Sequence, residues 1–192
     1  MSTLEVNTIN PQSGSTITLG SSGNTVALGS GVSGSGFGKI GQVVNTVYYT
    51  QTSTSSTSYT DISAGGNSLS ASITPSSSSS KILVIVHING AFINTASNER
   101  ILTRLLVTPS GSGSSVISVY NGYGLGSQGN KGGATISNST LYSVSSTVTH
   151  TFSTQFRSYF GNSVIVCTND SGSQQLAETS SNSTMTLMEV LA

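Results

Sequence analysis

The stretch from Lys81 to Phe92, KILVIVHINGAF, constrains the fold more than any other part of the sequence. Side chains alternate between the two faces of a strand, and here both faces are apolar: Ile82, Val84, Val86 and Ile88 on one, Leu83 and Ile85 on the other. The β-branched residues, the serine run before the stretch and Asn89-Gly90 after it favour a strand over a buried helix. We therefore expect a central strand covered above and below, with Val84 and Val86 in a packed interior.

The composition is almost free of charge. The chain has 192 residues, enough for one sizeable core, and six acids balance six bases, so that only 6% of residues are charged. Phosphate binding needs clustered lysine and arginine, and the bases here are scattered along the sequence, which argues against nucleic acid as a partner. A surface of serine, threonine, glycine and asparagine is typical of extracellular or virion proteins. The single Cys167 excludes an intrachain disulfide and a cysteine-based zinc finger, and its apolar neighbours predict a buried, inert thiol.

The N-terminal sequence MSTLEVNTINPQ lacks the basic and apolar regions of a signal peptide. No run of about 18 apolar residues occurs, so we expect no membrane span. A protein with an exterior type of surface and no secretion signal could leave its cell by lysis, which fits a virion component.

Residues 1–38 differ from the remainder. Thr16–Gly20 recurs as Thr25–Gly29, a period of nine residues, and each unit supplies two apolar side chains on one face. Two or three such units cannot enclose a core by themselves. We therefore expect them to assemble with other copies or with an anchoring protein. The alternative is an unstructured tail. The anchor residues would be Leu4, Val6, Ile17, Leu19, Val26 and Leu28. Residues 29–38, GSGVSGSGFG, are typical of a linker. We predict an assembly or attachment segment with its linker at 1–38 and a head domain at 39–192.

The head has the pattern of an all-β domain. Short apolar segments joined by Ser/Gly turns predict an antiparallel β-sandwich of jelly-roll type, following a short N-terminal extended or β-repeat segment. The other predicted strands lie at Lys39–Gln51, Ser58–Ser63, Ser68–Thr74, Leu141–Phe156, Ser163–Thr168 and Thr184–Leu191. Glu99–Val107 fits a helix or a strand, and the turn residues after Pro109 favour a hairpin.

Chemistry is hard to find in the sequence. His87 shares a strand face with Leu83 and Ile85, and His150 shares one with Val148 and Phe152, so both indicate interior or interface histidines. The carboxylates Glu5, Asp61, Glu99, Asp170, Glu178 and Glu189 have no obvious catalytic partners. Metal-ligand spacings are missing too. We expect no catalytic, cofactor-binding or metal-binding residue, no cofactor, and no enzymatic activity.

Two features leave alternatives open. The loop predicted at Asn121–Gly133 could contact a glycan through Tyr120, Asn121, Tyr123, Gln128 and Asn130, or it could be rich in glycine only because it turns sharply. Arg100 and Arg104 lie on the strand face of Leu102 and Leu106. They would either keep a solvent face soluble or form an intersubunit pair with Glu99 or Asp61.

Four stretches resemble virion proteins of tailed phages, especially the tail-fibre-like or structural proteins of marine and cyanobacterial phages. They are MSTLEVNTINPQSGSTITLG, SYTDIS, LSASITPSSSSSKILVIV and the final STMTLMEVLA. The resemblance implies a virion location, a homotrimer, an N-terminal attachment segment and contacts with other virion proteins of the tail or capsid. We therefore expect a non-enzymatic, short tail-fibre-like appendage. The alternatives are a capsid decoration or cement protein and a receptor-recognition tip that binds a host surface glycan.

Overall fold

The computed structural model describes residue 9 and residues 40–93, 99–122, 132–167 and 182–191. The chain divides into two units, residues 1–37 and 38–192, and the description below concerns the second. The predicted anchor side chains lie outside the described residues, and their role stays a prediction.

All regular structure in the described ranges is β-strand, which confirms the all-β class. The thirteen strands are β1 (Ile40–Tyr48), β2 (Thr52–Thr54), β3 (Thr60–Asp61), β4 (Ser63–Ala64), β5 (Asn67–Ser68), β6 (Ser70–Ile73), β7 (Lys81–Ile93), β8 (Ile101–Pro109), β9 (Ser115–Gly122), β10 (Gly132–Ser143), β11 (His150–Ser158), β12 (Val164–Val166) and β13 (Ser183–Val190). No helix is present in this part of the chain.

The strands pair into two main antiparallel sheets. In sheet A, β7 pairs with β10 along one edge, and with β13 and then β12 along the other; β1 lies outside β13, and β2 outside β12. In sheet B, β11 pairs with β8 on one edge and with β6 and β3 on the other, and β9 lies outside β8. A small ribbon, β4–β5, turns through Gly65 and Gly66, whose positive φ angles of 60° and 82° suit glycine.

Both sheets contribute side chains to one hydrophobic cluster. Sheet A supplies the inward face of β7, where Val84 is 0% and Val86 3% exposed. Sheet B supplies Leu105, Phe152 and Phe156, all buried. The predicted packed environment of Val84 and Val86 is confirmed.

The expectation that β7 is covered on both sides is wrong. Its second face is only partly covered, because Leu83 and Ile85 are half-buried and His87 is exposed. A strand that is buried on both faces is β8, where Leu102 and Leu105, on opposite faces, are 8% and 1% exposed. A strand that is apolar on both faces can therefore have one face partly exposed, because the residues beside it in register determine how much of that face is covered.

Several predicted strands are confirmed and one is wrong. The alternation in Ser68–Thr74 is as expected, with Leu69, Ala71 and Ile73 buried, and β8 and β9 form the predicted hairpin. The prediction of one long strand at Leu141–Phe156 is wrong, because the chain turns between residues 144 and 149. It passes there from β10 in sheet A to β11 in sheet B. Serine and threonine in this segment form turns as readily as strands, which explains the error. The loop at Asn121–Gly133 was predicted too long, since both its ends belong to β9 and β10.

Candidate interaction surfaces

A row of four apolar side chains crosses the outer face of sheet A. Val43 on β1 lies opposite Met188 on β13, Met188 opposite Leu83 on β7, and Leu83 opposite Leu141 on β10. Val43 and Leu141 are 55% and 51% exposed, and the two central residues are half-buried. These four residues are called the apolar row below. It places aliphatic surface in water across four adjacent strands.

The surroundings of the apolar row mix polar and aliphatic side chains and are almost uncharged. The next register row holds Asn45, Thr186, Ile85 and Ser139, and the one after it holds Val47, Thr184, His87 and Ser137. On the other side Lys81 lies between Val190 and Ser143. An apolar centre with few charged neighbours agrees with the centre of a protein–protein interface, where charged residues are depleted.

The two histidines occupy different environments. His87 is exposed, and its Nδ1 lies 2.8 Å from the Ser137 hydroxyl on the neighbouring strand. His150 is buried at 1% exposure, with its Nδ1 2.7 Å from the carbonyl oxygen of Val148, and its ring packs on Tyr142. Each has a local partner, and they lie on different sheets. The structure therefore does not bring them together.

Glu99 is a structural carboxylate, a role that the sequence analysis does not assign to it. It is fully buried, and Oε1 accepts hydrogen bonds from the backbone N–H groups of Arg100, Tyr159 and Phe160 at 2.8–2.9 Å. Oε2 accepts bonds from the backbone and side-chain nitrogens of Asn162. Burial raises the pKa of Glu99, but the hydrogen bonds outweigh it and lower the pKa to about 2. Glu99 thus fastens the start of β8 to the turn after β11.

Glu189 makes a similar brace in sheet A. Its carboxylate accepts bonds from the Gln42 side chain at 2.8 Å and from the backbone and hydroxyl of Ser76 at 2.6 and 2.7 Å. Burial raises its pKa, and these hydrogen bonds more than reverse the shift, so the pKa lies below the ordinary value. Gly41 lies close by, and a Cβ there would meet the end of the Leu191 side chain at 2.8 Å, so a larger residue would make that side chain shift. Both buried carboxylates are saturated by local donors, which suits a structural role.

Cys167 lies in the interior. Its Sγ is 2.9 Å from the Ser183 hydroxyl, and it is 2% exposed. Burial raises the pKa of the thiol, so the reactive thiolate is disfavoured.

No family model matches this chain, and no curated protein matches it.

Two further features are absent from the described residues. No three His, Cys, Asp or Glu side chains among them gather into a group that could hold a metal ion. In the same ranges, no helix has the length and apolarity needed to cross a membrane.

The residues predicted to contact a glycan are only partly placed. Tyr120 is half-buried, packs against the hydrophobic core, and bonds through its hydroxyl to Thr140 at 3.0 Å. Its ring is therefore only partly available for stacking. Asn121 lies in β9, while Tyr123, Gln128 and Asn130 lie outside the described residues.

Arg104 on β8 has an intrachain hydrogen-bond partner, and Arg100 directly precedes that strand. Arg104 Nε donates to Gln155 Oε1 at 2.7 Å, and Gln155 in turn donates to Asp61 Oδ1 at 2.8 Å. The proposed intersubunit partner Glu99 is buried and occupied by N–H groups of its own chain. An intersubunit pair with Glu99 therefore has no free acceptor, and Arg100 and Arg104 belong to the outer face of sheet B.

Proposed function

We propose that this chain is a non-enzymatic structural protein of a phage virion, with a β-sandwich head that forms a homotrimer through the outer face of sheet A. The apolar row is the observation that carries the proposal. Monomeric proteins seldom expose a continuous apolar patch without using it for binding. The resemblance in sequence supplies the virion location and the trimer.

The head qualifies as a candidate sandwich because two antiparallel sheets line one core. The inward residues of β7 and β11 belong to the same hydrophobic cluster. Sandwiches are built from two such sheets, whose inward and outward residues alternate along each strand. Jelly-roll connectivity remains the expectation from the sequence.

Copies of this chain are the proposed occupants of the apolar row. Four strands at a spacing of about 4.8 Å make the row roughly 15 Å wide, which suits the centre of an interface. The face carries few ionisable groups, Lys81 and His87 among them, so copies can approach with little like-charge repulsion. Three such faces directed at a common axis would bury the row and leave sheet B on the outside.

The matched pair Val43 and Val119 tests the assembly face. Both are exposed valines, at 55% and 56%, but Val43 lies on the outer face of sheet A and Val119 on β9 of sheet B. We expect Val43→Asp to convert a trimer into monomers at micromolar concentration, because a carboxylate in the buried interface would be desolvated. Val119→Asp should leave the trimer intact. Light scattering coupled to size-exclusion chromatography measures both masses.

The outcomes separate this proposal from the cement protein. A wild-type monomer, or equal dissociation of the two variants, would contradict trimerisation through sheet A. If the wild type is a monomer and Val43→Asp alone abolishes binding to particles lacking the protein, the row contacts another virion protein. That result would favour capsid decoration.

The attachment role of residues 1–38 is a separate part of the proposal. The repeat has its apolar side chains before the linker, and the described strands of the head share a hydrophobic cluster of their own. We expect a chain starting at residue 39 to remain folded and soluble but to lose incorporation into particles. Circular dichroism and particle co-sedimentation measure the two properties, and equal incorporation of the truncated chain would place the anchor in the head.

A further inference from the structure

Three arginines and two tyrosines alternate in a stack on the outer face of sheet B. The Arg104 guanidinium carbon lies 4.2 Å from the centre of the Tyr59 ring, and that of Arg157 lies 5.3 Å from the same ring. Arg157 also lies 5.9 Å from the centre of the Tyr159 ring, with Arg100 5.4 Å from it. The order is Arg104, Tyr59, Arg157, Tyr159, Arg100, called the arginine–tyrosine ladder below. The ladder cannot be recognised from the sequence, because its members come from three separate segments.

The ladder gathers three of the six basic residues of the chain, and no acid in the part that the structure describes pairs with them. Asp61 is the nearest carboxylate in register, and it accepts a hydrogen bond from Gln155 rather than from an arginine. Glu99 already accepts hydrogen bonds from backbone N–H groups, that of Tyr159 among them. Among the described residues, therefore, the three guanidinium groups form no ion pair. Their positive charge remains available to an anion.

The free edges of the guanidinium groups suit carboxylates. Arg104 uses its Nε for Gln155, and Arg157 uses Nη1 for the carbonyl of Thr57 at 3.0 Å. The side chain of Arg100 is exposed and makes no hydrogen bond to a described residue. Stacking on the rings restrains the planes of the groups, and a planar guanidinium fork binds a carboxylate through two parallel N–H bonds.

An exposed aromatic pair continues the ladder at its Arg100 end. Tyr159 and Phe160 are 43% and 58% exposed and pack edge-to-face, with ring centres 4.6 Å apart. The C–H face of a pyranose ring is apolar and packs on exposed aromatic rings of this kind. Aromatic surface next to unpaired guanidinium groups therefore fits a sugar that carries a carboxylate.

We propose that the arginine–tyrosine ladder is a binding site for an acidic carbohydrate, a polymer of pyranose units bearing carboxylates. Three cations on a chain of zero net charge neutralise too few phosphates for a stable nucleic-acid complex. The site differs from the loop at residues 121–133, and it does not depend on the proposed role in a virion, because the apolar row lies on the other sheet.

The test uses polygalacturonate and its highly methyl-esterified form, which has the same sugar rings without the charge. We expect the full chain to bind polygalacturonate, to bind the ester at least about tenfold more weakly, and to lose affinity as sodium chloride is added, because charge-assisted hydrogen bonds are the strong ones. Arg100→Gln should weaken binding about tenfold. Lys81→Gln, which removes one positive charge from the outer face of sheet A, should not. Tyr159→Leu should weaken binding to the acidic polymer, and the far-ultraviolet circular dichroism of every variant should match the wild type.

Four results would overturn the proposal: no binding to polygalacturonate, equal binding of the ester, equal losses in Arg100→Gln and Lys81→Gln, or tighter binding of single-stranded poly(dT). The last of these would assign the ladder to nucleic acid. Val43→Asp, which tests the assembly face, should leave polygalacturonate binding to each chain unchanged, so the two proposals can fail separately.

Discussion

The outer faces of the two sheets differ in how far their apolar side chains are covered. Leu83 on β7 and Leu102 on β8 both point away from the core, yet Leu83 is half-buried while Leu102 is only 8% exposed. Leu83 has Met188 and Leu141 as register neighbours, whereas Leu102 has Arg157 on one side. Long amphipathic side chains cover apolar neighbours and keep their charge in water. Within the described residues, sheet B therefore covers the apolar side chains of its outer face, whereas sheet A leaves those of its outer face half exposed, and it is there that we propose a partner.

The largest expected effect comes from placing the same charge at these two leucines. Leu102→Asp should cost several kcal/mol of the free energy of unfolding, because it buries an unpaired carboxylate within the chain itself. Leu83→Asp should cost about 1 kcal/mol in the isolated head but abolish assembly. Urea denaturation of chains starting at residue 39, together with light scattering of full-length chains, measures both effects. Equal losses of stability would break the comparison, since Leu83 would then be as enclosed as Leu102.

The next largest effect is expected at Glu99, whose carboxylate accepts hydrogen bonds from the backbone of Tyr159 and Phe160. Its pKa is about 2 in the folded protein against an ordinary value of 4.5, so the charged carboxylate stabilises the fold above about pH 4.5, and this contribution disappears as the pH falls to about 2. Glu99→Gln removes an acceptor of several N–H groups and should lower the free energy of unfolding by about 2–4 kcal/mol at pH 7. The stability gap between wild type and variant should shrink steadily between pH 4.5 and pH 2.

Urea denaturation at several pH values tests this sign directly. A gap that stays constant with pH would contradict the lowered pKa, because it would show that Glu99 has the same pKa in the folded and the unfolded chain. The Asp61→Asn variant is the control, because that carboxylate is exposed and should give a difference below about 0.5 kcal/mol.

The smallest effect concerns the ladder as a source of stability. Tyr59→Leu removes the ring between Arg104 and Arg157 and should cost about 0.5–1 kcal/mol, the usual size of exposed cation–π contacts. Tyr49→Leu, at an exposed tyrosine next to β1, should cost less than Tyr59→Leu in urea denaturation. If Tyr59→Leu costs several kcal/mol, the ladder is a structural element in the first place and its availability to a ligand is in doubt.

Local patterns in the sequence predict the strands but not the surfaces. The alternation in Ser68–Thr74 and the apolar run at β7 identify strands and inward residues, because burial imposes a period of two within a single segment. The turn between β10 and β11 escaped prediction, because serine and threonine fit a strand and a turn equally well. The brace of Glu99 depends on a turn some sixty residues further along, at Tyr159–Asn162. The ladder likewise depends on register between Tyr59, Arg104 and Arg157, which no short window of sequence contains.

The pairing of Ile40 with Val190 has a consequence for how the head can be handled. Residues opposite one another in antiparallel strands have Cα atoms about 5 Å apart, so the strands that open and close the described head meet at one corner of sheet A. A short loop of a few residues could therefore join residue 190 to residue 40, with new ends opened in the exposed turn at residues 110–113. Such a circularly permuted head would present its tags from the far end of the β8–β9 hairpin and leave the outer face of sheet A unobstructed. In the unpermuted chain, fluorophores attached at residues 39 and 191 would lie at this corner of sheet A. The distance between them would show whether β1 stays paired with its neighbouring strand.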